Sequence, residues 1–325
     1  AVMILGDRTE ALAAAAAAVP LALPVLHLVL VNPRVETSTP AVFAALDRRD
    51  GDPMAGARLL RAFLSGPQDI SFSETASEVT ARMWVSQRGV ELANYSLDWV
   101  RILHPASFAI DVAAGRVKAA RLIAPLARGL DRLSSRGMAR GELHWSGVPR
   151  EWPLQGGLSV AEIDGDGFAA LVEPLTRQFA LRPDWADGQL EAILADAREK
   201  PRFGEPVFAS VNTGGGKPVG AFAYHVAPGR TARVLQLLAL PGQAGPVIDA
   251  LIGDAARRGA AALRGRIQPA LLEAMLGRRI AFTHLASTVV HSRDAELVKA
   301  CRNGDVFLNG LAGESWSRMI GGSFD

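Results

Sequence analysis

The apolar and polar positions change period many times along the chain, and those changes predict its elements. Ala11 to Val31 is almost wholly apolar, interrupted by Pro20, Pro24 and His27. Its length approaches the roughly 20 residues that cross a bilayer. Two prolines break a continuous helix, however, and Asp7 and Glu10 spoil the basic flank of an export signal. The pattern instead predicts an Ala-rich helix and then a buried strand over Val25–Val31, stopped by Asn32-Pro33. A helix from Ser38-Thr39-Pro40 to Leu46 follows, with Pro40 at its first helical position. Ala57–Leu64 reads as a short helix, Asp69–Phe72 as a strand, and Thr75–Gln87 as a helix closed by Gly89. Val90–Leu103 holds two extended pieces around Asn94, and residues 106–133 read as helical and Arg-rich. Residues 134–156 carry Gly, Pro and Trp with no clear period and read as a linker.

A second series begins at Leu158. It runs as strand Leu158–Ile163, helix Phe168–Phe179, helix Asp187–Lys200 and a hairpin of Val207–Val211 with Val219–Val226 around the turn 212–217. Strand Arg233–Leu240, helix Pro246–Arg258, strand Ala261–Ile267 and helix Pro269–Leu276 come next. Strands Ile280–His284 and Ser287–His291 and helix Asp294–Asn303 complete it. Helices and strands that alternate in this way predict an α/β class, a mixed or parallel sheet covered by helices.

Composition narrows the picture. The 325 residues are 49% hydrophobic and 21% charged, which excludes a disordered chain and leaves room for about two packed domains. Cys301 is the single cysteine, so neither an internal disulfide nor a zinc site built on paired cysteines is available, as expected of a cytoplasmic protein. The formal charge of +2 speaks against a nucleic-acid partner. Charge is nonetheless uneven: residues 57–150 carry a net +5, mostly as arginines at helical spacing from Arg116 to Arg140.

Several motifs invite chemistry and are met by simpler readings. Gly214-Gly-Gly-Lys217 is followed by Pro218 and a strand rather than by Ser/Thr and a helix, so it reads as a hairpin tip, not a phosphate loop. His225, His284 and His291 lie in or at the ends of apolar strands without metal-ligand spacing, and no Gly-x-Ser-x-Gly pentapeptide marks a serine nucleophile. The most suggestive unit is strand Val234–Leu240, a turn with Gly242 and Gly245, and the helix after it. Small residues at a helix N-terminus leave backbone N–H groups free, and the helix dipole favours an anion there.

The order of elements in residues 157–310 resembles a GNAT-type acyltransferase. Val234-Leu-Gln-Leu-Leu-Ala-Leu-Pro241, Ala262-Leu-Arg-Gly-Arg266, Val290-His-Ser-Arg-Asp294 and Gly304-Asp-Val-Phe-Leu308 are similar to bacterial tandem-GNAT proteins. Leu59-Leu-Arg-Ala-Phe-Leu-Ser-Gly-Pro67, Ser71-Phe-Ser-Glu-Thr-Ala76 and Tyr95-Ser-Leu-Asp-Trp-Val100 are similar to the last half of a first GNAT unit. Residues 1–54 differ: Val29-Leu-Val-Asn-Pro-Arg-Val35, Ser38-Thr-Pro-Ala-Val-Phe43 and Arg48-Arg-Asp50 resemble the C-terminal part of diphosphocytidyl-methylerythritol kinase, a GHMP-type kinase. The kinase's phosphate loop and catalytic Asp have no counterpart in that stretch. The expected organisation is therefore a kinase-like fragment at 1–54, a truncated GNAT-like unit at 55–133, a linker at 134–156 and a complete GNAT-like domain at 157–325.

This resemblance implies acyl transfer from acetyl-CoA to an amine of a small molecule or peptide, with a non-catalytic binding module as the alternative and a residual kinase as a third reading. Leu238 and Leu240 are expected to line the pantetheine, and Gln243, Ala244 and Gly245 to hold the pyrophosphate. Glu273 and His284 stand as the proton handlers. Two departures weigh on that reading. The family's Arg/Gln-x-x-Gly-x-Gly/Ala signature keeps two glycines in Pro241-Gly-Gln-Ala-Gly-Pro246 but no arginine, and helix Pro269–Leu276 lacks the tyrosine many members use as general acid. Trp84, at the similar place in the first unit, cannot supply that proton.

Overall fold

The computed structural model describes residues 2–4, 60–61, 64–115, 117 and 122–313 apart from 140, 142, 153 and 200–202. The kinase-like stretch beyond Ile4, Val25–Val31 included, lies outside the described residues. The strands begin with β1 Val2–Ile4, β2 Ile70–Ala76, β3 Val90–Glu91 and β4 Leu97–Ile102, with helices α1 Glu78–Ser86, α2 Pro105–Ala114 and α3 Ala124–Arg136 among and after them. There follow β5 Ser159–Ile163, α4 Gly165–Thr176, α5 Gln189–Arg198, β6 Glu205–Asn212, β7 Pro218–Val226, β8 Thr231–Ala239 and α6 Ala244–Arg257. β9 Ala262–Arg266, α7 Pro269–Leu276, β10 Ala281–His284, β11 Ser287–Ser292 and α8 Ala295–Asn303 close the series. This is the α/β class expected, a mixed sheet with helices.

The elements begin and end where local chemistry says they should. Ser77, Asp164 and Asp294 cap α1, α4 and α8 by accepting from the amides of Thr80, Gly167 and Glu296. Gly304, at φ +78°, ends α8 in the left-handed conformation that glycine adopts without cost. The helical reading over 106–133 divides into α2 and α3. Asp131 of α3 ties the two together by accepting from Ala106 N, Ser107 N and Ser107 Oγ at 2.9, 2.8 and 2.6 Å.

The chain forms two compact units, and they run across the boundaries read from sequence. One comprises residues 1–97, 180–184 and 284–325; the other comprises 98–179 and 185–283. In the first unit the sheet order is β1-β2-β11-β3. β1 runs parallel to β2 through Val2↔Ile70 and Ile4↔Phe72. β11 lies antiparallel to β2 and β3. Ile70, Phe72, Leu92, Tyr95, Val290, Cys301, Val306 and Leu308 form the core against it. Residues 180–184 are stitched to the end of this unit by Ala180 N donating to Asp305 O and Phe307 N to Leu181 O.

The second unit holds a seven-stranded sheet in the order β10-β4-β9-β8-β7-β6-β5. Strands β5 to β8 form an antiparallel meander, β8 runs parallel to β9, and β9 runs antiparallel to β4. β10 and β11, neighbours in the chain, do not close one sheet as a pair. Instead β4 lies between β10 and β9, and β11 belongs to the other sheet. Side-chain complementarity explains the exchange. Opposite Asp98 of β4 stands Arg266 of β9, paired at 3.1 Å, and opposite Trp99 stands Gly265, whose missing Cβ would lie 2.9 Å from the indole. A segment beginning at residue 158 thus lacks an interior strand of its own sheet. Among the described residues no helix is long and apolar enough to cross a membrane.

Candidate functional site

β8 and β9 pair at only three positions, Thr231↔Ala262, Ala232↔Leu263 and Arg233↔Arg264. β8 continues to Ala239 with no further pairing to β9, so the two strands part. A bulge falls at that point: Ala223 of β7 faces Gln236 and Tyr224 faces Val234, which leaves Leu235 as the extra residue. Bulges bend a strand and raise its local twist. Here the bend comes where pairing with β9 stops.

Backbone alternation decides which groups face the opening. Leu240 N donates to Val219 O at 2.9 Å, so the N–H of Leu240, and two residues back the polar groups of Leu238, face β7. The groups of Leu237 and Ala239 point the other way. Gln178 Nε2 donates to Ala239 O at 3.1 Å from that side, as this alternation requires. Leu238 and Leu240, the pair expected to line the pantetheine, therefore offer no backbone partner there; Leu237 and Ala239 do.

The turn after β8 leads directly into α6. Gly242 takes φ +77°, which glycine alone adopts freely. Gly220 of β7 lets the first turn of α6 sit on the sheet, since a Cβ there would lie 2.4 Å from Val247 Cγ2 and 2.7 Å from Leu238 O. α6 carries no side-chain N-cap. Of the three residues expected to hold a pyrophosphate, Gln243 has already committed its N–H to Leu240 O at 2.9 Å. Among the described residues no acceptor meets the N–H groups of Ala244 and Gly245, and Pro246 has none to give. Sequence reading found no arginine at this turn; the chain supplies one from the far end of α7. The Arg278 guanidinium lies 2.6 Å from where a Gly245 Cβ would stand, and it forks onto Asp249 with both bonds at 2.9 Å.

The expected proton handlers fall in different units. Glu273 sits on the exposed side of α7 in the second unit. His284 falls in the first unit, with Nε2 3.2 Å from Ser287 Oγ, and Ser287 in turn donates to Glu91 Oε1. Both tyrosines of the chain are engaged elsewhere. Tyr95 OH donates to Val306 O at 2.7 Å and Tyr224 OH to Asp254 at 2.5 Å. Burial pushes both phenols well above their ordinary range, and for Tyr224 the Asp254 charge adds to it. Each hydroxyl proton is committed to its buried acceptor, Val306 O or Asp254. Among the described residues no group of three or more His, Cys, Asp or Glu could hold a metal ion.

No protein-family model matches the chain, and no curated protein sequence matches it. Among solved structures it is similar to a GCN5-related N-acetyltransferase from Kribbella flavida, with 13% identity and a TM-score of 0.40 over 76% of this chain and 79% of that one. A GCN5-related N-acetyltransferase from Anabaena variabilis gives 11% identity and a TM-score of 0.45, over 77% of this chain and 53% of that one. One from Sphaerobacter thermophilus gives 12% and 0.39, over 75% and 70%.

Proposed function

We propose that the second unit binds acetyl-CoA or a related acyl thioester in the opening between β8 and β9, and that its acyl group passes to an amine of a small molecule or peptide. One observation carries this reading: a parallel strand pair that parts beyond Arg233 and Arg264, beside a helix whose first amides are free. An extended, amide-bearing arm can add to the open edge of β8 as a further strand, meeting Leu237 and Ala239. A diphosphate suits the N–H groups of Ala244 and Gly245 at the positive end of the α6 dipole. When bound, the thioester supplies the activated acyl carbon. The chain's own part is to align that arm, exclude water with the buried Leu235, Leu237 and Leu238, and present edge N–H groups to negative charge developing on the acyl oxygen.

A neutral amine must lose a proton as it attacks. The exposed Glu273 carboxylate or bulk water can take that proton, while the thiolate leaves as the acyl–sulfur bond breaks and takes up a proton from solvent. The same observation favours a second reading, a binding module that holds a thioester or its relatives without turnover. Calorimetric titration of the whole chain with acetyl-CoA, followed by acyl transfer to a panel of amines, separates the two. Binding with turnover supports the transferase, and binding without turnover supports the module. Absence of binding overturns both.

A further inference from the structure

A cavity of about 620 Å³ lies within the second unit, and none of its lining residues belongs to β8, β9 or the turn between β8 and α6. Its walls include His144, Trp145, Trp152, Asp249, Arg278 and Arg279. The volume falls within the roughly 300–1,000 Å³ of organic-ligand sites, well beyond a bare ion.

Among the described residues the charge lining this cavity is not balanced. Arg278 shares its guanidinium with Asp249 through two bonds of 2.9 Å, which uses the one carboxylate described among these walls. Arg279 makes no hydrogen bond or ion pair with any described residue, and it is held at φ +57°, a left-handed conformation unfavourable for a residue with a Cβ. Behind the wall, fully buried Arg101 meets only carbonyls among the described residues: those of Ile102, His144 at 3.3 Å, Trp145 at 3.5 Å and Gly147 at 2.6 Å. Its Nε has no partner among the described residues. Burial first, and then the charge of Arg279, lower the Arg101 pKa to about 10. A buried cation without a counter-ion is costly, and nearby anionic charge relieves that cost. The aromatic walls add a surface for a flat group. Trp152 is fixed by its Nε1 donating to Asp249 O at 3.2 Å, while the Trp145 indole is 68% exposed.

We propose that this cavity is a separate binding site for a planar organic anion, with its carboxylate or phosphate on Arg279 and its ring against Trp145. The positive charge of Arg279 and Arg101 selects the anionic group, and the indole selects the ring over a bare ion. The site is argued apart from the thioester reading, because the groups that would hold the anion and the ring, Arg279 and Trp145, lie outside the β8 edge and the turn after it; Arg278, which reaches that turn, stays on Asp249.

The test titrates the whole chain with phenyl phosphate, benzoate and neutral benzamide, read by tryptophan fluorescence and calorimetry. At least one anionic probe should saturate, with benzamide at least tenfold weaker; the tighter of the two anions identifies the preferred group. Arg279→Asn suits the left-handed backbone and should keep the parent's melting temperature while weakening the anion at least tenfold. Trp145→Leu should weaken it severalfold. Saturating acetyl-CoA should leave the probe's affinity unchanged. The proposal is overturned if no probe saturates, if benzamide equals the anions, if Arg279→Asn has no effect, or if acetyl-CoA displaces the probe.

Discussion

Strand β8 has two edges with the same apolar sequence between them, and they behave differently. Toward β7 it is paired from His225↔Arg233 to Gly220↔Ala239, with one bulge on the way. Toward β9 the pairing ends at Arg233↔Arg264. The closed edge fastens the meander and the base of α6. The open edge leaves backbone donors and acceptors beside buried leucines, an arrangement that invites a further strand. The difference separates where stability resides from where a ligand can add.

Substitutions should divide along the same line. The largest effect is expected on the closed edge, at Gly220→Val. Its side chain would meet Val247 and the Leu238 carbonyl, atoms that cannot swing away. We expect a loss of about 3 kcal/mol in urea unfolding, from overpacking between sheet and helix. A variant as stable as the parent would contradict the tight seating of α6. On the open side, Gly245→Asp should leave the urea midpoint nearly unchanged, because the Arg278 guanidinium it meets is the far end of a flexible side chain. It should nonetheless weaken acetyl-CoA at least tenfold, about 1.4 kcal/mol, by placing like charge against the diphosphate. Equal affinity in calorimetry would move the diphosphate away from this turn.

A third test lies in the first unit, which contains neither edge. Burial raises the Cys301 thiol to about 11, so the folded state holds its proton to higher pH than the unfolded chain. The stability this contributes is fully present below pH 9 and is lost as pH rises toward 11. The gap in melting temperature between parent and Cys301→Ala should therefore shrink over that interval. A constant gap would mean that the thiol is not protected as the core implies. The smallest effect is expected at Gln178→Ala, which frees Ala239 O on the open edge. Acetyl-CoA should bind about two- to threefold more tightly, with folding stability within about 0.5 kcal/mol of the parent. Weaker binding would assign Gln178 to the ligand rather than to competition with it.

Much of the local structure was legible in the residues. Strand and helix positions from Leu158 onward follow from apolar period and capping residues, and the turn at Gly242 and Gly245 stands out by its small side chains. Strand partners were not legible. β4 is only a six-residue stretch at 97–102, and nothing within it announces that Asp98 and Trp99 fit Arg266 and Gly265 across more than 160 residues. Pairing at that distance is a property of two surfaces, not of either sequence. The open edge shows the same division: the apolar run of Val234–Leu240 predicts a strand, but which of its residues face outward depends on the register with β7. Arg278 was missed because it reaches the start of α6 from another helix. The signal that could have found it is an Arg-Arg pair directly after the glycine that closes α7.

The central claim is that the free edge of β8 receives an extended, amide-bearing ligand. Amide hydrogen exchange across residues 231–245, measured on the whole chain with and without saturating acetyl-CoA, tests it most directly. Leu237 and Ala239 should gain protection on binding, together with Ala244 and Gly245. Leu238 and Leu240, already bonded to β7, should change little. Saturated binding with no added protection at Leu237 and Ala239 would contradict the account.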